Sequence, residues 1–212
     1  MATIEHNLLP VEGRFGAGEE LEQIIFNQMR TGIGQDGDGL RPHRGGSVAE
    51  QAFSLMIAVA RKVVVAHRDV VDGVYRQRDL VPTLTSETKM AYWWSDRPGY
   101  APLFGQTLGI VGLGDIGMAM AMRARAFGMR LLYYKRSRLS PAEEAALGVE
   151  YRDLDALLPE VDFLTLHLPH TAESDKLLDA RRLALLKPSA ILVNAARGGL
   201  VDEDALIAAL QA

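Results

Sequence analysis

Three glycines, Gly112, Gly114 and Gly117, stand at the spacing G-x-G-x-x-G in the run Gly112-Leu113-Gly114-Asp115-Ile116-Gly117. Glycine reaches backbone angles closed to other residues and leaves no Cβ in the way of a ligand. Where such a turn follows a strand and opens a helix, Gly112 makes the tight turn, Gly114 lets backbone approach a pyrophosphate, and Gly117 lets helix and strand pack closely. Free N–H groups at the helix start, around Asp115 and Ile116, and the positive end of the helix dipole then favour the phosphates. The hexapeptide alone is a weak signal, since a glycine-rich turn of no function has the same letters. Its place directly after the apolar run Leu108 to Val111 strengthens it.

The end of the following strand, ~20 residues beyond the turn, should meet the adenosine ribose, and an acid there favours NAD. Here the chain reads Lys135-Arg136-Ser137-Arg138. Cations and a hydroxyl suit a 2'-phosphate through charge-assisted hydrogen bonds, whereas a carboxylate would repel it. The expectation is NADP(H) in preference to NAD(H), with NAD(H) as the second cofactor admitted. The competing reading is an ordinary solvated basic loop.

The elements that must position these groups can be read from the apolar pattern. Strands are expected at 107–111, 130–134, 149–151, 162–168 and 190–194, and helices at 115–127, 141–147, 154–158, 180–186 and 203–211. Lys187 and Pro188 would close the helix at 180–186, and Asp202, Glu203 and Asp204 would start the last one. Alternation of this kind predicts an α/β fold, a doubly wound parallel sheet of Rossmann type. Upstream, Ser47 with Glu50 is read as a capping box. It would open one long helix, 47–71, whose first half is apolar almost all round and so needs cover from a second domain or subunit. Residues 73–106 read as a connector. Residues 1–46 are irregular and glycine-punctuated, with one apolar patch at 21–29.

Bulk properties exclude several classes. The chain has 212 residues, 48% hydrophobic and 24% charged, as in a packed globular protein of one to two domains. A formal net charge of −4 gives no general attraction to nucleic acid or anionic membranes. The absence of cysteine removes thiolate catalysis and cysteine-based metal sites, and no metal is expected. No apolar run reaches the ~18 residues of a membrane span, and the first ten residues do not resemble a secretory leader. A cytoplasmic protein is expected.

Four stretches resemble the D-isomer-specific 2-hydroxyacid dehydrogenases. They are Ala49-Glu50-Gln51, the segment from Thr107 to Gly114, Leu166-His167-Leu168-Pro169, and Leu192-Val193-Asn194-Ala195-Ala196-Arg197-Gly198-Gly199-Leu200-Val201-Asp202-Glu203. Within that family they look closest to the glyoxylate and hydroxypyruvate reductase branch, over residues 47–212. The resemblance implies an oxidoreductase moving a hydride between a nicotinamide cofactor and a small 2-oxo or 2-hydroxy acid, with Arg197 binding the substrate. A guanidinium just past a strand end can clamp both the carboxylate and the keto oxygen and polarise the carbonyl. A structural arginine holding a turn is the alternative. Leu168, Pro169 and Thr171 would line the cofactor cleft, and Ala195 and Ala196 are small enough for the nicotinamide to lie close. His167 and His170 invite an acid/base reading, but a histidine near a strand end is more often packed or solvated.

The family completes its site with a glutamate and a histidine beyond the arginine motif. Fifteen residues follow Arg197 here and none is histidine. The expectation is a truncated relative, and the alternative to an oxidoreductase is a catalytically inactive dinucleotide-binding module. Residues 1–46 would be a remnant of the substrate domain, with the backbone amides of Ile33 and Gly34 facing the substrate carboxylate. Residues 47–212 would be the NAD(P)-binding domain. The family's long helix helps form a dimer, so a homodimer is expected.

Overall fold

The computed structural model describes residues 44–77 and 99–211, with residues 84 and 86 between them. Among these, five strands form one sheet: β1 (Thr107–Val111), β2 (Arg130–Tyr134), β3 (Glu150–Tyr151), β4 (Phe163–Leu166) and β5 (Ile191–Asn194). All pair in parallel in the order β3-β2-β1-β4-β5. The helices are α1 (Arg44–Ala60), α2 (Val63–Val71), α3 (Asp115–Ala126), α4 (Pro141–Leu147), α5 (Leu154–Leu157), α6 (Ala180–Leu183) and α7 (Glu203–Gln211). This is the expected doubly wound α/β sheet. The expectations for Ile33, Gly34, the patch at 21–29 and most of residues 1–46 lie outside the described residues.

The strands are continuous apolar runs because both faces are covered. Leu108, Ile110, Leu131, Tyr133, Phe163, Ile191 and Val193 join α1 and α3 in one core. The residues between them, Val111, Leu132, Leu164, Leu166 and Leu192, join α5 and the segment from Leu178 to Val201 in the other. Gly109 sits on this second face, where an added Cβ would lie 2.7 Å from both Leu157 and Val161. Asp162 ties two strand starts together, its carboxylate accepting from Thr107 N–H at 2.9 Å and from Lys187 Nζ at 2.7 Å.

Three sequence expectations need correction. The helix expected at 47–71 begins at Arg44, so Ser47 is interior and caps nothing. Glu50 instead pairs with Arg123 of α3 at 2.8 Å. A capping box does form at α4: Glu143 N–H donates to the Ser140 hydroxyl, and Ser140 N–H donates to the Glu143 carboxylate at 2.8 Å.

That long helix also breaks in two. Lys62 adopts a left-handed conformation, φ 50° and ψ 40°, which costs a non-glycine residue ~1–2 kcal/mol. Ala101 N–H donates to the carbonyl of Ala60 at the break, at 3.0 Å, and the Arg61 guanidinium stacks 3.7 Å over the Tyr100 ring. The β-branched run Val63-Val64-Val65 resists continuation of the helix and α2 restarts from it.

The helix expected at 180–186 stops at Leu183. Lys187 is pulled toward Asp162 and the Glu160 carbonyl, 3.1 Å away, and the chain ahead of Pro188 tightens into turns.

Candidate functional site

The chain leaves β1 on one side for β2 and lies beside β4 on the other, so the order of connection reverses between β1 and β4. In open α/β sheets the crevice at such a point, beyond the carboxyl ends of the strands, is where ligands bind. A cleft of about 340 Å³ lies there. The glycine turn forms its floor through Gly112, Leu113 and Gly114. One wall comes from the end of β2, Tyr134 to Ser137, and the other from the segment after β4, His167, Leu168, Pro169 and Thr171 with Glu173, Ser174 and Leu177.

The three glycines differ in what they make room for. Gly112 has φ +97°, and a Cβ on it would stand 2.6 Å from the carbonyl oxygen of His167. The β1 turn therefore packs backbone to backbone against the end of β4. At Gly117 a Cβ would collide with the Gly112 carbonyl. Gly114, the cap of α3, has nothing within 4 Å of the place a Cβ would take. The open space is thus over Gly114, at the positive end of a twelve-residue helix. A pyrophosphate fits that cradle.

Of the predicted cofactor residues, Gly112, Gly114, Lys135, Arg136, Ser137, Leu168, Pro169 and Thr171 line the cleft. Asp115, Ile116 and Gly117 lie beneath it at the start of α3, where Ile116 packs into the core and Gly117 is buried. The Asp115 side chain is exposed, and the backbone N–H groups of all three stand in the first turn of α3. Arg138 does not line the cleft. Its guanidinium grips Glu144 of α4 at 2.8 and 3.0 Å and lies 5.1 Å over the Tyr151 ring. A bidentate carboxylate next door draws it away, so the basic pair facing the cleft is Lys135 and Arg136, with the Ser137 hydroxyl beside them.

Sequence reasoning gave no cofactor-cleft role to His167, Glu173 or Ser174. His167 is held by Thr165 Oγ1 at 2.8 Å from Nε2, while Nδ1 is buried without a partner. Burial pushes its pKa down to about 4, so the imidazole is neutral near pH 7. His170 sits on the surface with Nε2 2.6 Å from Asp175 and packs on Gly199. Ser174 staples the loop, its hydroxyl donating to the Pro169 carbonyl and accepting from Thr171 N–H, both at 2.8 Å. The Thr171 hydroxyl donates to Glu173 at 2.6 Å. The signal for this staple is Thr171-x-Glu173-Ser174, a short run of hydroxyls and an acid after a proline.

Arg197 follows β5, the next strand along the same edge, and is exposed. Its Nη1 donates to the Ala196 carbonyl at 2.8 Å. The loop it occupies is fixed by Asn194, which is 2% exposed. Asn194 Nδ2 donates to the Arg197 carbonyl at 2.8 Å, and Ala196 N–H donates to Asn194 Oδ1 at 3.0 Å. Ala195 and Ala196 are half-buried and lie outside the lining of the cleft.

A larger hollow of about 580 Å³ lies elsewhere, between Asp175, Lys176, Gly198, Gly199 and the start of α7. Asp202, Glu203 and Asp204 make it acidic, and Lys176 is already paired with Asp202 at 3.0 Å. It would repel phosphate. Asp202 also accepts from Ala205 N–H at 3.2 Å, the helix-start role expected of it. Among the described residues no group of acids and histidines is placed to hold a metal ion, and no helix is long and apolar enough to cross a membrane.

A parallel sheet with a glycine turn and an open helix start at its crossover defines a dinucleotide-binding domain of Rossmann type. Residues 53–212 match the family described as D-isomer specific 2-hydroxyacid dehydrogenase, NAD binding domain, and the chain belongs to that family. It is 44% identical over 167 residues to a glyoxylate reductase of Pyrococcus furiosus, covering 78% of this chain and 46% of the relative. It is also similar to the solved glyoxylate reductase from Paecilomyes thermophila, with TM-score 0.64 and 33% identity over 79% of this chain and 45% of that one. A D-lactate dehydrogenase from Aquifex aeolicus, solved with NAD and lactic acid, gives TM-score 0.63 and 30% identity over 81% and 46%. The chain thus spans about half the length of the relatives it matches.

Proposed function

We propose that this chain is the cofactor-binding half of an oxidoreductase that interconverts a small 2-oxo acid, of the glyoxylate or hydroxypyruvate class, with its 2-hydroxy acid, using NADP(H) in preference to NAD(H). The observation that carries the cofactor reading is a cleft whose β2 wall ends in Lys135, Arg136 and Ser137, with no acid at that strand end. A bound nicotinamide supplies or takes the hydride. Arg197 binds the substrate carboxylate and polarises its keto oxygen, positioned by the Asn194 brace beneath it. Ala195 and Ala196 leave room beside it, and Leu168, Pro169 and Thr171 exclude water from the cofactor's flank. Residues 1–46 belong to the substrate side, with Ile33 and Gly34 offering backbone amides to the carboxylate. Residues 47–212 are the cofactor domain.

A second reading, a dinucleotide-binding module without turnover of its own, is favoured by the local histidines. His167 is neutral and buried, and His170 is engaged by Asp175. Proton exchange with substrate therefore calls for a group outside this set, and losing a general acid/base costs ~100- to 10,000-fold. Calorimetric titration of NADPH and NADH tests binding, and failure to bind either sinks both readings. NADPH oxidation with glyoxylate or hydroxypyruvate then separates them: brisk turnover removes the second, none removes the first for this chain.

The partner surface proposed for a homodimer is α1 and α2. α2 buries none of its residues, and Val63, Val64, Val70 and Val71 are 48–69% exposed. Sedimentation showing only monomer at high concentration would refute it. A cytoplasmic location is proposed with it.

A further inference from the structure

The wall facing Lys135 and Arg136 carries an acid that the sequence order hides. Glu173, in the segment after β4, lines the same cleft as the end of β2, although 36 residues separate it from Ser137. Its carboxylate is aimed by the Thr171 hydroxyl at 2.6 Å. That hydroxyl and, through space, the Arg136 guanidinium hold its pKa below the usual carboxylate range, so it is ionised near pH 7. Arg136 makes no hydrogen bond to the described residues. The cleft therefore holds two cations and one anion on opposite walls.

We propose that Glu173 is a cofactor-selectivity residue, a fixed negative charge that holds back the 2'-phosphate attracted by Lys135, Arg136 and Ser137 and accepts a hydrogen bond from an unphosphorylated ribose. The inference rests on the cofactor reading above. In NAD-binding sheets the acid that meets the ribose stands at the end of β2. Here the same chemical task passes to the opposite wall, where it coexists with a basic strand end. A single carboxylate near a phosphate carrying about two charges, in water-like dielectric and moderate salt, shifts relative affinity roughly three- to tenfold. The cleft accordingly admits both cofactors with a moderated preference.

The test is calorimetric titration of NADPH and of NADH into the full chain, for wild type, Glu173→Gln and Glu173→Asp, with a thermal melt of each. Glu173 is exposed and its one side-chain bond is to Thr171, so the melts should coincide. Glu173→Gln is expected to raise the ratio of Kd for NADH to Kd for NADPH at least threefold, while Glu173→Asp, which keeps the charge, stays close to wild type. A rise of less than threefold in Glu173→Gln, or an equal rise in both variants, overturns the assignment. The wild-type ratio separately tests the NADP(H) preference. If wild type favours NADH and Glu173→Gln still shifts the ratio toward NADPH, the preference fails and Glu173 stands. If wild type binds neither, both are overturned.

Discussion

Two alanines in the same glycine turn should behave in opposite ways. Gly112→Ala places a Cβ at φ +97°, 2.6 Å from the His167 carbonyl oxygen. The left-handed backbone costs ~1–2 kcal/mol. The obstacle is backbone of the adjacent strand end, which cannot rotate away, and overpacking of that kind costs ~1–3 kcal/mol more. A total of ~3 kcal/mol, at a urea slope of ~2 kcal/mol per molar, moves the unfolding midpoint down by ~1.5 M. Gly114→Ala meets no atom within 4 Å, and its φ −96° and ψ −158° are open to alanine. Its stability should stay within ~0.5 kcal/mol of wild type. The methyl instead occupies the space over the start of α3, so NADPH affinity should fall at least tenfold, ~1.4 kcal/mol. Urea unfolding of both variants, with NADPH calorimetry on Gly114→Ala, decides the matter. A Gly112→Ala midpoint equal to wild type, or a Gly114→Ala protein that is unstable yet binds normally, would refute the division of labour between the two glycines.

His167 predicts an acid-sensitive fold. Its folded pKa is about 4 against 6.5 ordinarily, so between those values the unfolded chain binds the proton that the folded chain refuses. Its contribution is complete above pH 6.5 and is lost as pH falls, ~2 kcal/mol by pH 5. Denaturant melts should show this slope in wild type and a flatter one in His167→Asn; parallel profiles would contradict it. Asp155, held down to about 2 by Arg181 and then Arg182, loses its contribution only below about pH 4, clear of that window. Asn194→Leu leaves Ala196 N–H and the Arg197 carbonyl without their partner, at a cost of ~2 kcal/mol by urea unfolding. Its NADPH affinity should change less than twofold, and a large loss would place Asn194 in the cofactor site. Tyr133→Phe removes a buried hydroxyl that donates to Glu144 and accepts from Leu139 N–H, and should lower stability by ~1 kcal/mol. An unchanged melting temperature would show that water replaces it.

Most of the sheet could be read from the chain because its signals are local. The buried strands are short apolar runs bounded by glycine, acid or proline, and Leu108 to Val111 runs straight into the glycine turn. Two of the helix ends that failed were set by distant partners. Ala101 docks at the break after Ala60, and Asp162 draws Lys187 off the helical path. Neither pairing has a trace in the pattern around the helix it ends.

The same division explains the site. The floor of the cleft was legible since Gly112, Gly114 and Gly117 are constrained by one another and by the strand they follow. The walls were not, because their charge balance is a sum over segments far apart in the chain. A reading of β2 alone counts Lys135, Arg136 and Arg138 as three cations available to a phosphate. Folding removes one by giving Arg138 a closer partner in Glu144, and sets Glu173 opposite the other two. Three positive charges thus become two facing one negative, and the proposed preference between cofactors rests on that difference.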